Sequence, residues 1–376
     1  MPTRLLTSCW QTEVMKILLI GNYVPDAQES MLRYGSLLEQ GLREAGHEPT
    51  LISPHQHFAQ AGPQGRGKWI GYVDKYVLAP SQLHAAARGF DAVHICDHSN
   101  AVYAPRHSDI PWTSNCHDLL AVRGALGEDT DCPASATGKL LQAAILRGLQ
   151  RTAGIACISE ATLRDFKRLS PGYQGPVNCV PLPLNFPYYP DANDASAVPQ
   201  PYVLLVGSNH RRKNRETAIR AMAAIADRWP GTMVFAGQAL SEAQRDLVRQ
   251  LGLTQRVREI LQPSNCELRQ LYSHATALVF PSRFEGFGWP IIEAQACGCP
   301  VICSAREPHP EVSGGCAMFC DADDSTAFGN AILSLTPASA ERDALVASGI
   351  KNATAHTLAT LTAGIVNLIN TARGRA

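Results

Sequence analysis

A chain of 376 residues, 45% hydrophobic and 18% charged, is long enough to bury two cores of ordinary domain size. Lys+Arg and Asp+Glu both number 33, so no global charge favours nucleic acid or an anionic membrane, and small ligands are the better expectation. The 12 cysteines are scattered, and their closest group, Cys297, Cys299 and Cys303, falls at a helix end and in the next apolar strand. Without paired Cys or Cys/His spacings no metal site is expected, and the thiols read as reduced, buried small hydrophobes of a cytoplasmic protein.

No run of about 18 apolar residues is present, so no transmembrane helix is expected. Leu6-Thr7-Ser8-Cys9 faintly echoes a lipoprotein cleavage site, but the apolar stretch before Cys9 is too short. Residues 1–14 read as an extension or a misplaced start, and the fold opens at Met15-Lys16. Strands at 16–20, 48–52, 92–96, 112–116 and 154–158, alternating with helices such as 31–45, give the pattern of a parallel sheet wrapped by helices. The proline-rich stretch Val180 to Pro187 suits neither a helix nor a central strand, and with the polar segment 191–201 it joins a first domain, 15–190, to a second, 202–355. The second alternation has strands at 202–207, 233–237, 277–280 and 301–303. A last amphipathic helix lies around 356–372 in the closing segment 356–376.

Three constellations carry chemistry. Glu285 and Glu293 bracket Gly286-Phe287-Gly288-Trp289-Pro290-Ile291-Ile292, which places Glu285 on the loop after the strand 277–280 and Glu293 about one turn into a helix opened by Pro290 and ended by Gly298. Carboxyl ends of parallel strands and helix N-termini hold anions, and two acceptors beside such a site suit the hydroxyls of two sugars flanking a phosphate bridge. The run Gly207-Ser208-Asn209-His210-Arg211-Arg212-Lys213-Asn214, between a strand and the helix expected at 216–228, puts fixed cations where a diphosphate would lie. Ser114-Asn115-Cys116-His117-Asp118 ends a strand of the first domain; adjacent His and Asp side chains diverge, so the pair is not a catalytic dyad.

On the segment Pro281 to Pro300 and the Arg-Lys-Asn loop, the chain resembles retaining nucleotide-sugar glycosyltransferases of family four, bacterial type, whose GT-B architecture sets two Rossmann-like domains face to face across a cleft. The resemblance extends from Met15 to near the C-terminus. It implies an α/β fold, an acceptor-binding first domain, a donor-binding second domain and a last helix crossing back to the first. It also implies that Glu285 contacts the transferred sugar, Glu293 the ribose, and His117 the donor sugar across the cleft. Gly207, Gly286, Phe287 and Gly288 would line the nucleotide site, and the base would meet backbone near Gln262. Many relatives carry Arg just after the Gly, where this chain has Ser208, which leaves open whether Arg211 or Arg212 replaces it.

With no Asp-x-Asp triplet at the end of the strands read above, Arg212 and Lys213 are the expected stabilisers of the departing diphosphate, and a metal-independent hexosyltransferase that builds polysaccharides is the expected activity. No cofactor is expected beyond the nucleoside diphosphate sugar, and the acceptor is a glycan, a lipid-linked sugar or a small molecule. Residues 21–31, where relatives have a Gly pair, form a polar loop suited either to acceptor contact or to helix capping by Ser30, and 123–129 is a second such loop. The basic amphipathic helix 138–151 suits either packing on the sheet or peripheral contact with the inner face of a membrane. The rival readings are a sugar-nucleotide epimerase or hydrolase on the same fold and a non-catalytic binding subunit.

Overall fold

The computed structural model describes residues 13–58, 65–191, 198–336 and 339–374. Most of the expected extension 1–14 and most of the connecting segment 191–201 lie outside the described residues. Strands β1 (Lys16–Ile20), β2 (Glu48–Ile52), β3 (Ala92–Ile95), β4 (Trp112–Cys116), β5 (Gly154–Cys157) and β6 (Val177–Cys179) form one sheet in the order β2-β1-β3-β4-β5-β6. Strands β7 (Tyr202–Gly207), β8 (Thr232–Gly237), β9 (Val257–Leu261), β10 (Ala277–Phe280), β11 (Val301–Ser304) and β12 (Met318–Cys320) form another, ordered β12-β11-β10-β7-β8-β9. Every pairing is parallel. Central strands such as Ala277–Phe280 are buried on both faces, as a parallel sheet covered by helices requires. Each sheet reverses its strand order once, between β1 and β3 and between β7 and β10, and ligands of open α/β sheets sit at those reversals.

The structure adds three strands that the sequence reading lacked, β6, β9 and β12, and each lies at a sheet edge. The last of them corrects one expectation, since Asp321-Ala322-Asp323 follows β12 and is an Asp-x-Asp triplet at a strand end, with Asp323 taken up by Arg283. It also adds the helical stretch Gly65–Ala86, interrupted by a π-helix at Asp74–Leu78. Two boundaries change. The first helix runs Glu29–Glu44 with Gln28 at its N-cap, so Ser30 lies inside the first turn and caps nothing. The helix expected at 216–228 is Arg215–Ala224, because Trp229 turns into the core and Pro230 disfavours helical backbone before it.

The last helix, Leu358–Arg373, is capped by the Thr357 hydroxyl and buries Leu361, Ile365, Leu368 and Ile369. It lies on the first domain: a Cβ at Gly154 would stand 3.0 Å from Leu368, and one at Gly41 only 2.2 Å from the Thr362 hydroxyl. Across the cleft the two domains touch at Gly286. A Cβ there would sit 2.2 Å from the His117 carbonyl oxygen, and the Ser159 hydroxyl donates to the Gly286 carbonyl at 3.0 Å.

Candidate functional site

Two loops at the reversal of the second sheet build the site. The β7 strand ends at Gly207, whose φ of +131° suits glycine, and the chain passes through a single turn, Arg211–Lys213, to Asn214. Asn214 adopts φ 53° and sends its amide across to the Pro281 carbonyl (3.1 Å) and the Ala322 carbonyl (2.6 Å), tying the basic loop to the end of β10. The β10 loop then reaches Gly288, with φ +110°, which caps the helix Trp289–Ala296. Its second residue is Pro290, free there of any need to donate.

These loops bring Glu285, Arg212 and Lys213 together. Arg212 Nη1 donates to Glu285 Oε2 at 2.6 Å and to the Phe284 carbonyl at 2.9 Å, and Lys213 Nζ donates to Glu285 Oε1 at 2.6 Å. Burial pushes the Glu285 acid up, but Lys213 and Arg212 outweigh it and hold the carboxyl at about 2. Burial lowers Lys213, and Glu285 offsets this only in part. For Arg212 the same opposition ends the other way, with burial outweighed by Glu285 and the guanidinium raised. Each cation keeps further N–H donors beyond those given to Glu285. Arg211 points elsewhere: its side chain is 82% exposed and its Nε lies 3.5 Å from Asp131 of the first domain. Arg212 is therefore the arginine of this site.

His117 is buried, and its Nε2 lies 2.8 Å from the Cys96 carbonyl, so the ring must carry its proton on that nitrogen. Burial lowers its pKa, which keeps the imidazole neutral near pH 7. Nδ1 is thus a buried acceptor, and among the described residues nothing donates to it. Between His117's strand and the second domain lies a cavity of about 230 Å³ lined by Asp118, Arg123, Asp165, Phe284, Glu285 and Glu307.

The remaining expected residues fall outside this cluster. Glu293 is buried, with Asn185 Nδ2 and the Tyr272 hydroxyl each donating to one of its oxygens at 2.9 Å; burial raises its pKa against those two bonds. Each of its oxygens retains a second lone pair for a ligand hydroxyl. Phe287 is buried edge-on against His356. Gln262 follows the edge strand β9, and its backbone N–H is already given to the Gly237 carbonyl at 3.0 Å. Cys297, Cys299 and Cys303 are buried, their thiols pushed up by that burial.

The sequence reading missed several supporting side chains. Arg215 is buried and donates to the carbonyls of Gly207 (2.6 Å) and Gln238 (2.9 Å), fixing the β7 end from behind. His309, from the β11 side, packs edge-on against Phe280 and adds to the field that lowers Glu285. Asp97 accepts from Asn22 and Ser99 at 2.6 Å and pairs with His98, next to the carbonyl that holds His117. An Arg directly after the Arg-Lys-Asn run was the one available sequence signal among these.

Residues 192–352 match the family model described as glycosyl transferases group 1, a span that holds both loops. O-antigen chain mannosyltransferase B of Escherichia coli is 39% identical over 87 residues, 23% of either chain. O-antigen chain mannosyltransferase RfbU of Salmonella typhimurium is 34% identical over 131 residues, 35% of this chain and 37% of that protein, so these matches span well under half of the relatives' length. A D-inositol 3-phosphate glycosyltransferase of Corynebacterium glutamicum is 24% identical over 70% of this chain and 67% of its own. Among solved structures, sucrose-phosphate synthase from Thermosynechococcus elongatus superposes with a TM-score of 0.74 at 23% identity, covering 96% of this chain and all of that one. HepE of Anabaena, in complex with UDP and glucose, gives 0.70 at 16% identity over 95% of this chain. Residues 192–352 therefore match the glycosyl transferases group 1 model, in a chain with the GT-B fold.

Proposed function

We propose that the protein transfers a hexosyl unit from a nucleoside diphosphate sugar to a hydroxyl of a glycan, lipid-linked or small-molecule acceptor, with retention of anomeric configuration. The observation that carries this reading is the Arg212–Glu285–Lys213 cluster at the strand-order reversal of the second sheet. As the bond from the anomeric carbon to the diphosphate breaks, negative charge grows on the leaving oxygen. Arg212 and Lys213 meet that charge without a metal, in a site where burial strengthens the attraction. Glu285 holds both cations in place and lies on the cleft wall, where its carboxylate opposes the positive charge developing on the sugar ring. The acceptor oxygen forms the new bond on the face the diphosphate leaves, and its proton passes to the departing phosphate oxygen.

His117 acts in this scheme as an acceptor through Nδ1, suited to a sugar hydroxyl and not to acid catalysis at neutral pH. Glu293 takes the ribose hydroxyls with its spare lone pairs. The names of the two mannosyltransferases, and the neighbour in complex with UDP and glucose, make hexose donors the first to test. A panel of nucleoside diphosphate sugars scanned by thermal unfolding is the direct experiment, since a ligand at 100 times its Kd adds about 2.7 kcal/mol of stability. No shift with any nucleotide sugar or free nucleoside diphosphate would overturn the proposal.

A further inference from the structure

The chain passes between the two domains twice, once after β6 and once at the turn 354–357 before the last helix. The two crossings are tied together: the Leu184 N–H donates to the His356 carbonyl and His356 Nδ1 to the Leu182 carbonyl, each at 3.0 Å. Pro183, between them, has no N–H to give, and its carbonyl accepts from Trp289 Nε1 at 2.8 Å. Prolines at 181, 183 and 187 restrict the segment further, and Leu184 and Phe186 pack on the core. The backbone at Asn185 is therefore fixed from both sides.

From this segment Asn185 reaches into the second domain. Its Nδ2 donates to Glu293 Oε1 at 2.9 Å, and the carboxylate, which only accepts, decides which end of the amide faces it. Oε2 takes the Tyr272 hydroxyl, also at 2.9 Å, and Tyr272 packs edge-on against Tyr188 of the same segment with ring centroids 5.9 Å apart. Both donors to Glu293 are thus set by the crossing, since one lies on it and the other leans on it. Glu293 itself sits on the helix Trp289–Ala296, whose first residue holds Pro183, so the carboxylate and its amide donor are fixed to one another. A glutamate's last torsion is otherwise broad, and here a donor on each oxygen stops it. A vicinal diol presents two hydroxyls in one fixed relation, and the two carboxylate oxygens match it in one orientation of their plane. A single hydroxyl is met in many orientations. Holding the plane still therefore favours a diol over a lone hydroxyl.

We infer that Asn185 is a positioning residue of the nucleotide site: from the interdomain crossing it holds Glu293 in the plane that takes both ribose hydroxyls, and so gives the site its selectivity for ribose over 2′-deoxyribose. The inference rests on the transferase reading above, in which Glu293 takes the ribose, and adds to it the part played by the crossing. The test is calorimetric titration of the full chain with UDP and GDP, each against its 2′-deoxy analogue. Wild type is compared with Asn185→Ala and with Asn185→Leu, the latter close to asparagine in size and lacking the amide. The wild type is expected to prefer the ribonucleotide by about tenfold or more, as one hydrogen bond to a charged group implies. In both variants that preference should shrink by about threefold or more, because ribonucleotide affinity falls further than 2′-deoxy affinity. Were Asn185 only a support for the fold, both nucleotides would lose affinity together and the preference would stay. The inference is overturned if the wild type does not distinguish the two sugars, or if a folded variant lacking the amide keeps the wild-type preference. A wild type that binds no nucleoside diphosphate would overturn the transferase reading itself, and this inference with it.

Discussion

Lys213 and Glu285 lie on loops that leave different strands, β7 and β10, and meet at 2.6 Å with side chains only 12% and 7% exposed. Because neither charge is well solvated, each depends on the other, and the loops are held in register by the same contact that readies the site. Removing one partner of a buried pair typically costs about 3 to 5 kcal/mol. Arg212→Ala and Lys213→Ala should each weaken nucleoside diphosphate binding, since each deletes a charge-assisted contact worth about 1.5 to 3 kcal/mol. Calorimetric titration with UDP and GDP checks this, and unchanged affinity in both variants would remove the proposed phosphate site.

Acid stability follows from the same cluster. The Glu285 carboxyl is held at about 2, against an ordinary value of 4.5. A depressed carboxylate stabilises the fold fully above its unfolded value, and that contribution is lost as pH falls through the folded one. Between pH 4.5 and 2 the wild type should therefore lose stability more steeply than Glu285→Gln, which has no carboxyl to titrate there. Urea unfolding at several pH values measures the two slopes; equal slopes would contradict the pairing.

Domain closure has its own contact. Glu311, from the second domain, accepts with both oxygens, at 2.8 and 3.0 Å, from the backbone N–H of Glu160 at the start of the helix Glu160–Leu169. A carboxylate there satisfies an orphan donor and faces the positive end of the helix dipole. Glu311→Ala should cost about 0.5 to 2 kcal/mol and raise the radius of gyration measured by small-angle scattering. A variant with unchanged melting and unchanged radius would show that this contact does not hold the domains together.

Chelation separates cationic side chains from metal catalysis. Turnover with a nucleotide sugar should survive EDTA if, as proposed, Arg212 and Lys213 meet the leaving charge. Loss of activity with recovery on Mg²⁺ or Mn²⁺ would show that the two side chains are not sufficient.

The doubly buried strands were legible because burial on both faces leaves continuous apolar runs such as Leu278-Val279-Phe280. The missed strands failed for the opposite reason: Val257–Leu261 is half-exposed and carries Arg258 and Glu259, while Val177–Cys179 and Met318–Cys320 have three residues each. Both loops of the site were readable because glycine, proline and clustered charge mark their turns. What the sequence could not show is that Glu285 lies between Arg212 and Lys213, a contact spanning some 70 residues. Nor could it show that Tyr272 and Asn185 come together on Glu293, or that Cys96 fixes the tautomer of His117 through its carbonyl.

The two glutamates should fail differently. Glu293, which we propose takes the ribose, would act equally on ground and transition states, so Glu293→Gln should mainly lower donor affinity with turnover at saturation nearly kept.

The central claim is that Glu285 works on the reacting sugar as charge develops, and turnover at saturating donor tests it most directly, read beside calorimetric affinity for the free nucleoside diphosphate. The account predicts that Glu285→Gln loses turnover by about 100-fold or more, of the order seen when one preorganised electrostatic group is removed. It also predicts that the free nucleoside diphosphate, which carries a ribose but no sugar, loses more affinity from Glu293→Gln than from Glu285→Gln. Intact turnover in Glu285→Gln, or the reverse order of diphosphate affinities, would contradict it.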